Sequence, residues 1–134
     1  MNNVFIDSNI WLYAFIDSGV KTEKSHNILS SNKNIVISTQ VINEVSFNLL
    51  KKLKFDEIKI KNVIDDFYTK YEIINFSEKT LNTASDIRSA MSVSFWDSHI
   101  ISCALISGCN LIYSEDLQNN FSFDNKLKII NPFL

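Results

Sequence analysis

Five short apolar runs punctuate the chain: Val4 to Ile6, Ile35 to Ile37, Glu72 to Asn75, Leu111 to Tyr113 and Leu127 to Ile130. They are rich in branched residues and read as strands. Longer stretches with helical spacing lie between them. Thr39 to Leu53 carries Ile42, Val45, Leu49 and Leu53 on one stripe, and about Asp56 to Tyr71 carries Ile60, Val63, Ile64, Phe67 and Tyr71. Ser77 to about Met91 opens on a capping serine, and Phe95 to about Ser107 stops at Gly108, a helix-ending signal. Strands that are apolar on both faces and alternate with helices predict a mainly parallel sheet covered on both sides. The expected architecture is therefore a three-layer α/β/α fold with a central sheet of four to five strands. With two Gly and one Pro there is almost no linker material, so residues 1–134 are read as a single domain.

A chain of 134 residues with 46% hydrophobic and 21% charged side chains can bury a real core. Its net charge of −2 excludes a polycation that binds nucleic acid by bulk charge. Any such binding requires a local patch or a metal ion. Cys103 and Cys109 have no zinc-like partners in sequence and read as reduced core thiols. The N-terminal segment lacks the basic flank of a signal peptide, and no apolar run reaches the ~18–20 residues that span a bilayer. A cytoplasmic protein is expected.

Four carboxylates interrupt apolar patterns. Asp7 ends the first apolar run in "VFIDSNIWLY", and beyond the carboxyl end of a strand is where parallel α/β sheets carry function. Glu44 sits inside the amphipathic helix of "STQVINEVSFNLL". Asp97 follows Phe95 and Trp96 in "SFWDSHIIS" and shares a helical stripe with Ile100, Ile101 and Ala104. Asp116 closes "LIYSEDL" just past a strand. Each has a bland reading: Asp7, Asp97 and Asp116 as helix or turn caps, Glu44 as a solvated helix acid. Together they make a charge problem, because carboxylates sharing a low-dielectric cleft repel. Arg88 is the only arginine and no lysine adjoins the four motifs. A divalent cation is the natural partner, and all-oxygen ligands point to Mg²⁺ or Mn²⁺ over Zn²⁺.

In order and spacing, "VFIDSNIWLYAF", "ISTQVINEV", "SFWDSHIISCAL", "LIYSEDLQ" and the closing "IINPF" resemble PIN domains, and among them the VapC-type toxins of toxin–antitoxin pairs. The resemblance spans essentially the whole chain. It implies a metal-dependent ribonuclease in which a metal-activated water hydrolyses an RNA phosphodiester in line, leaving a 5′-phosphate and a 3′-hydroxyl. By motif, Asp7 and Asp97 match direct metal ligands. Asp116 completes the set, and Glu44 is a further ligand or orients the water. Ser8, Asn9 and Ser114 match the supporting hydroxyl and amide positions. Ser98 departs from the alanine common after the third acid. Glu115, beside Asp116, leaves two acids for one role, and Asp116 is favoured. The likeness also implies an antitoxin partner and a homodimer.

The best RNA-facing patch is "KKLKFDEIKIK", with Lys51, Lys52, Lys54, Lys59 and Lys61; a solvated helix-hairpin face explains it equally well. His99 falls about 200° around the helix from Asp97, so neither it nor His26 is assigned to catalysis. Trp11 and Trp96 read as core. Receiver-like and haloacid-dehalogenase-like readings lack their acidic signatures, and dinucleotide binding lacks a glycine-rich turn. The rival kept is a catalytically silent PIN fold that binds RNA or a protein partner.

Overall fold

The computed structural model describes residues 2–134; Met1, which opens the expected 1–134 domain, lies outside the described residues. Strand β1 (Asn3–Ile6) leads directly into α1 (Ser8–Phe15), followed by α2 (Val20–Ser31) and β2 (Ile35–Ser38). Helices α3 (Thr39–Lys52) and α4 (Glu57–Lys70) precede β3 (Glu72–Ile74). Helices α5 (Glu78–Ala90) and α6 (Phe95–Ile106) precede β4 (Cys109–Tyr113), and β5 (Ser122–Phe123) and β6 (Leu127–Ile130) close the chain. The sheet order is β3-β2-β1-β4-β6-β5. All pairings are parallel except β5 with β6. The mainly parallel sheet flanked by helices is the expected architecture, with six strands where four to five were expected. The additional strand is the two-residue β5, too short to leave an apolar run.

Burial explains why the strands read as continuous apolar runs. Val4, Phe5 and Ile6 of β1 and Ile35, Val36 and Ile37 of β2 are all buried, because each strand has a helical layer on either side. Capping sets the helix starts. Ser38 caps α3 by accepting from the Val41 N–H (3.3 Å), Ser77 and Thr80 form a reciprocal capping box on α5, and Ser94 caps α6. At the end of α6 the chain turns at Gly108 with φ of 73°, a left-handed conformation that glycine adopts without a Cβ clash.

The order of strands creates the functional edge. From β1 the chain runs outward through β2 to β3, then returns to place β4 on the other side of β1. The carboxyl ends of β1 and β4 therefore meet at a topological switch point, where crossing connections diverge and leave a crevice. The Asp7 N–H donates to the Tyr113 carbonyl (3.0 Å), which seats the residues following the two strands side by side.

Candidate active site

Asp7 is 3% exposed and caps α1, with Oδ1 accepting from the Ser8 N–H (2.7 Å) and Oδ2 from the Ser114 hydroxyl (2.7 Å). The cap reading and the clustered-acid reading thus coincide on one side chain. Burial above all pushes its carboxyl up to about 6. The Ser114 and Ser8 hydrogen bonds oppose that rise, and the charges of Glu44 and Asp116 add to it.

The other three acids reach the same edge from different elements. The Ser8 hydroxyl donates to Glu44 Oε2 (2.8 Å), and Gln40 Nε2 donates to Glu44 Oε1 (2.8 Å). Glu44 is thereby held by one hydroxyl from α1 and one amide from α3. Asn9 ties the β4 loop to α1: its Oδ1 accepts from the Glu115 N–H (3.1 Å) while Nδ2 donates to Asp116 Oδ2 (3.1 Å). The Ser114 hydroxyl, while donating to Asp7, accepts from the Asp116 and Leu117 N–H groups (3.2 Å each). Asp97 lies half-buried in the first turn of α6, its N–H donating to the Ser94 hydroxyl (3.0 Å). Burial chiefly raises its carboxyl above the ordinary range, against the Ser94 hydrogen bond, and the charges of Asp116 and Glu44 add to the rise. Asp97 and Asp116 line one recess of about 200 Å³. Ser8, Asn9, Glu44 and Asp116 line a second of about 370 Å³.

Glu115 is a different kind of acid. Tyr13 donates to its Oε1 (2.6 Å), Lys21 pairs with its Oε2, and the ammonium also lies over the Tyr13 and Phe133 rings. Burial alone would raise its carboxyl, but the Lys21 and Tyr13 hydrogen bonds outweigh that and hold it low. Of the two acids in "SED", Glu115 is neutralised locally and Asp116 is the one that faces Asn9 and couples to Asp7 and Asp97.

Several sequence expectations need correction. A lysine does stand beside a motif: Lys21 reaches Glu115 from α2, across 94 positions. Arg88 also comes close, donating to the Ser98 hydroxyl (2.8 Å) beneath the Phe95 ring. Neither cation bonds Asp7, Glu44, Asp97 or Asp116. Trp96 is not core but 59% exposed, because burial along α6 starts two residues later, at Ser98. Trp11 is buried, its indole N–H donating to the Ile6 carbonyl (3.2 Å). Lys52 lines the 370 Å³ recess. Lys51 instead lies over Phe47 and Lys59 over Phe55, and Lys54 and Lys61 are exposed. His99 is buried and stacked on Phe76, with burial and then Arg88 lowering its pKa, so it is a neutral core ring. His26 bonds the Ala14 carbonyl (2.8 Å). Cys103 and Cys109 are buried and unpaired, each thiol pushed up to about 12 by burial.

Among the described residues, no three Asp, Glu, His or Cys side chains stand close enough to enclose an ion unaided. The donor set nevertheless suits a hard cation: four carboxylates and two hydroxyls, no cationic side chain among their partners in the described residues, and Asp7 raised by burial and by its acidic neighbours. Mg²⁺ keeps several waters and needs only one or two carboxylates with substrate phosphates, so an open acidic crevice meets its requirements.

The fold resembles solved toxin structures. A toxin–antitoxin complex from Klebsiella pneumoniae superposes with a TM-score of 0.71 at 18% identity, covering 96% of this chain and 97% of that one. VapC20 of Mycobacterium tuberculosis, described as a sarcin–ricin loop cleaving toxin, gives 0.67 at 13% identity over 90% and 89%. FitAcB from Neisseria gonorrhoeae gives 0.70 at 18% over 97% and 98%. At these identities the likeness is one of fold. No curated protein matches the sequence. The PIN domain profile matches residues 4–123, nearly the whole chain, and with the sheet order and the acidic edge already described it assigns the chain to the PIN domain family.

Proposed function

We propose that this PIN domain is a divalent-metal-dependent endoribonuclease and the toxin of a toxin–antitoxin pair. One observation carries the reading: Asp7, Glu44 and Asp116 are linked through Ser114, Ser8 and Asn9 at a single sheet edge, with Asp97 electrostatically coupled and, among the described residues, no cation bonded to any of the four. An acidic crevice built at such cost has a use for positive charge.

In this reading Asp7, Asp97 and Asp116 hold Mg²⁺ or Mn²⁺, and Glu44 either joins them or orients the attacking water. A divalent ion bound there supplies positive charge for the phosphate oxygens and acidifies coordinated water. The protein's part is positioning. Ser114 and the Ser8 N–H fix both oxygens of Asp7, Ser8 and Gln40 fix both oxygens of Glu44, and Asn9 aims Asp116. Lys52, on the rim of the same recess, offers the approaching RNA backbone a cation, with Lys51 and Lys54 extending the charge. The neighbours' descriptions support the biology: several are toxin–antitoxin complexes, some bound to DNA, and one cleaves the sarcin–ricin loop. An antitoxin partner and a homodimer follow as proposals for this chain. Among the described residues, no helix is long and apolar enough to cross a membrane. A silent PIN fold that binds RNA or a partner is the rival; the intact carboxylate set favours the enzyme.

The test is cleavage of single-stranded RNA with Mg²⁺ or Mn²⁺. Activity is expected to stop with chelator and to fall in Asp7→Ala and Asp97→Ala by more than the roughly 10–100-fold typical of outer-shell losses. Unchanged cleavage in a folded variant would overturn the assignment.

A further inference from the structure

We propose that the recess on the far side of Glu44 is a nucleobase site, in which one unpaired RNA base stacks on Trp96 with its edge toward Asn43. The inference rests on RNA being the substrate and goes beyond the acidic crevice itself.

The recess measures about 550 Å³ and is lined by Thr39, Gln40, Asn43, Glu44, Phe76 and Trp96, a size typical of small-molecule sites. Trp96 is the more exposed of the two tryptophans, 59% against 4% for Trp11. It is nonetheless braced. Phe95 meets its ring edge-on (5.2 Å, 85°), Arg88 lies over Phe95 (4.5 Å), and His99 tilts against Trp96 (5.9 Å) while stacking on Phe76 (4.8 Å). An exposed indole held in one orientation is a preformed stacking surface, which every base can use.

The polar wall is made of two amides, only one of which is open. Gln40 donates through Nε2 to Glu44, and its Oε1 is buried without a hydrogen-bond partner. Both polar ends of Gln40 are thus closed to an occupant. Asn43, exposed on the same wall, adds an amide able both to donate and to accept.

Charge and position narrow the occupant. No lysine or arginine lines the recess, so its walls suit a neutral ring and not a phosphate. Glu44 is shared with the recess that also holds Ser8, Asn9, Asp116 and Lys52. A base seated against Trp96 therefore belongs to a nucleotide beside the phosphate held at the carboxylates.

The experiment follows tryptophan emission in the Asp7→Asn protein, which carries less negative charge and on the reading above leaves RNA uncut. Single-stranded octamers of rA, rC and rU are titrated in, with an abasic ribose-phosphate octamer as control. Base-bearing octamers are expected to quench Trp96 while Trp11 stays silent, and the abasic strand to leave emission unchanged. Adding Trp96→Leu abolishes the quenching and weakens binding roughly 5- to 150-fold; Trp96→Phe keeps most of the affinity. Equal binding by the Trp96→Leu protein, or equal quenching by the abasic strand, overturns the proposal. So does a Trp96→Leu protein that changes its sedimentation but not its RNA binding, since the recess would then be a subunit interface. The titration needs no cleavage: base-dependent quenching by a protein that never cuts RNA would refute the nuclease reading alone, and wild-type cleavage with unchanged affinity in Trp96→Leu would refute the base site alone.

Discussion

Both oxygens of the Asp7 carboxylate are engaged by donors in the folded chain, whereas Asp97 sits half-open among like charges. Burial first, then Asp116 and Glu44, raise the Asp97 carboxyl, so its ionised form is tolerated rather than sought by the fold alone. Replacing it by the neutral isostere should relieve repulsion. Asp97→Asn in chelator at neutral pH is expected to melt at or above the wild-type temperature. A melting point several degrees lower would make Asp97 a structural hydrogen-bonding residue and weaken its place in the site. The four acids were legible in the sequence because each breaks an apolar pattern that a solvated charge would not. Lys21 was not legible. Its partner Glu115 lies 94 positions away, and only the packing of α2 against α1 brings them together. The exposed face of Trp96 was equally hidden, since an aromatic beside buried residues reads as core until the first turn of α6 is seen to project past it.

At the level of elements, α3 through α6 announced themselves through apolar stripes and caps, and their observed ends fall within a residue or two of the expected ones. Helix α2 left no such trace. Only Ser25 and Ile28 are buried in it, so a helix that delivers Lys21 to the site has no stripe to betray it. Two-residue β5 carries too few residues for an alternation signal. The caps that were legible also have a measurable job. Ser94 bonds the Asp97 N–H and so both starts α6 and fixes the turn from which Asp97 projects. Ser94→Ala is expected to cost about 1 kcal/mol, a drop of roughly 4 °C in a chain of this size, measured by thermal melting followed by circular dichroism. An unchanged melting point would mean that α6 is anchored entirely by its buried half, Ser98 to Ala104, and that the cap plays no part in placing the acid.

For the molecule as a whole, burial and neighbouring charge at the acidic edge oppose the ionised form of Asp7, and pH should expose the conflict. The Asp7 carboxyl moves from the ordinary 3.8 to about 6 on folding, so between those values the native chain holds a proton that the unfolded chain has released. Stability from this group is fully present below about pH 4 and is lost as pH rises through 6. The displacement corresponds to a change on the order of 3 kcal/mol. Other groups pull the opposite way as pH falls, His99 below its ordinary 6.5 and Glu115 below its ordinary 4.5. Glu115 is held low by Lys21 and Tyr13, and neutral His99 resists protonation in its aromatic setting, so both withdraw stability as pH falls. The net curve of the wild type is therefore a poor witness, and the difference from Asp7→Asn isolates the effect. In chelator, the Asp7→Asn melting temperature minus the wild-type value should rise between pH 4 and 6 and level off above. Melts at half-unit pH intervals measure it. Parallel curves across that range would mean that Asp7 is not strained by burial, and the argument that this edge of the sheet is built to receive a cation would lose its physical basis. Repeating the melts with Mg²⁺ should stabilise the wild type at neutral pH more than the variant, because the ion supplies the charge that the proton supplied at low pH.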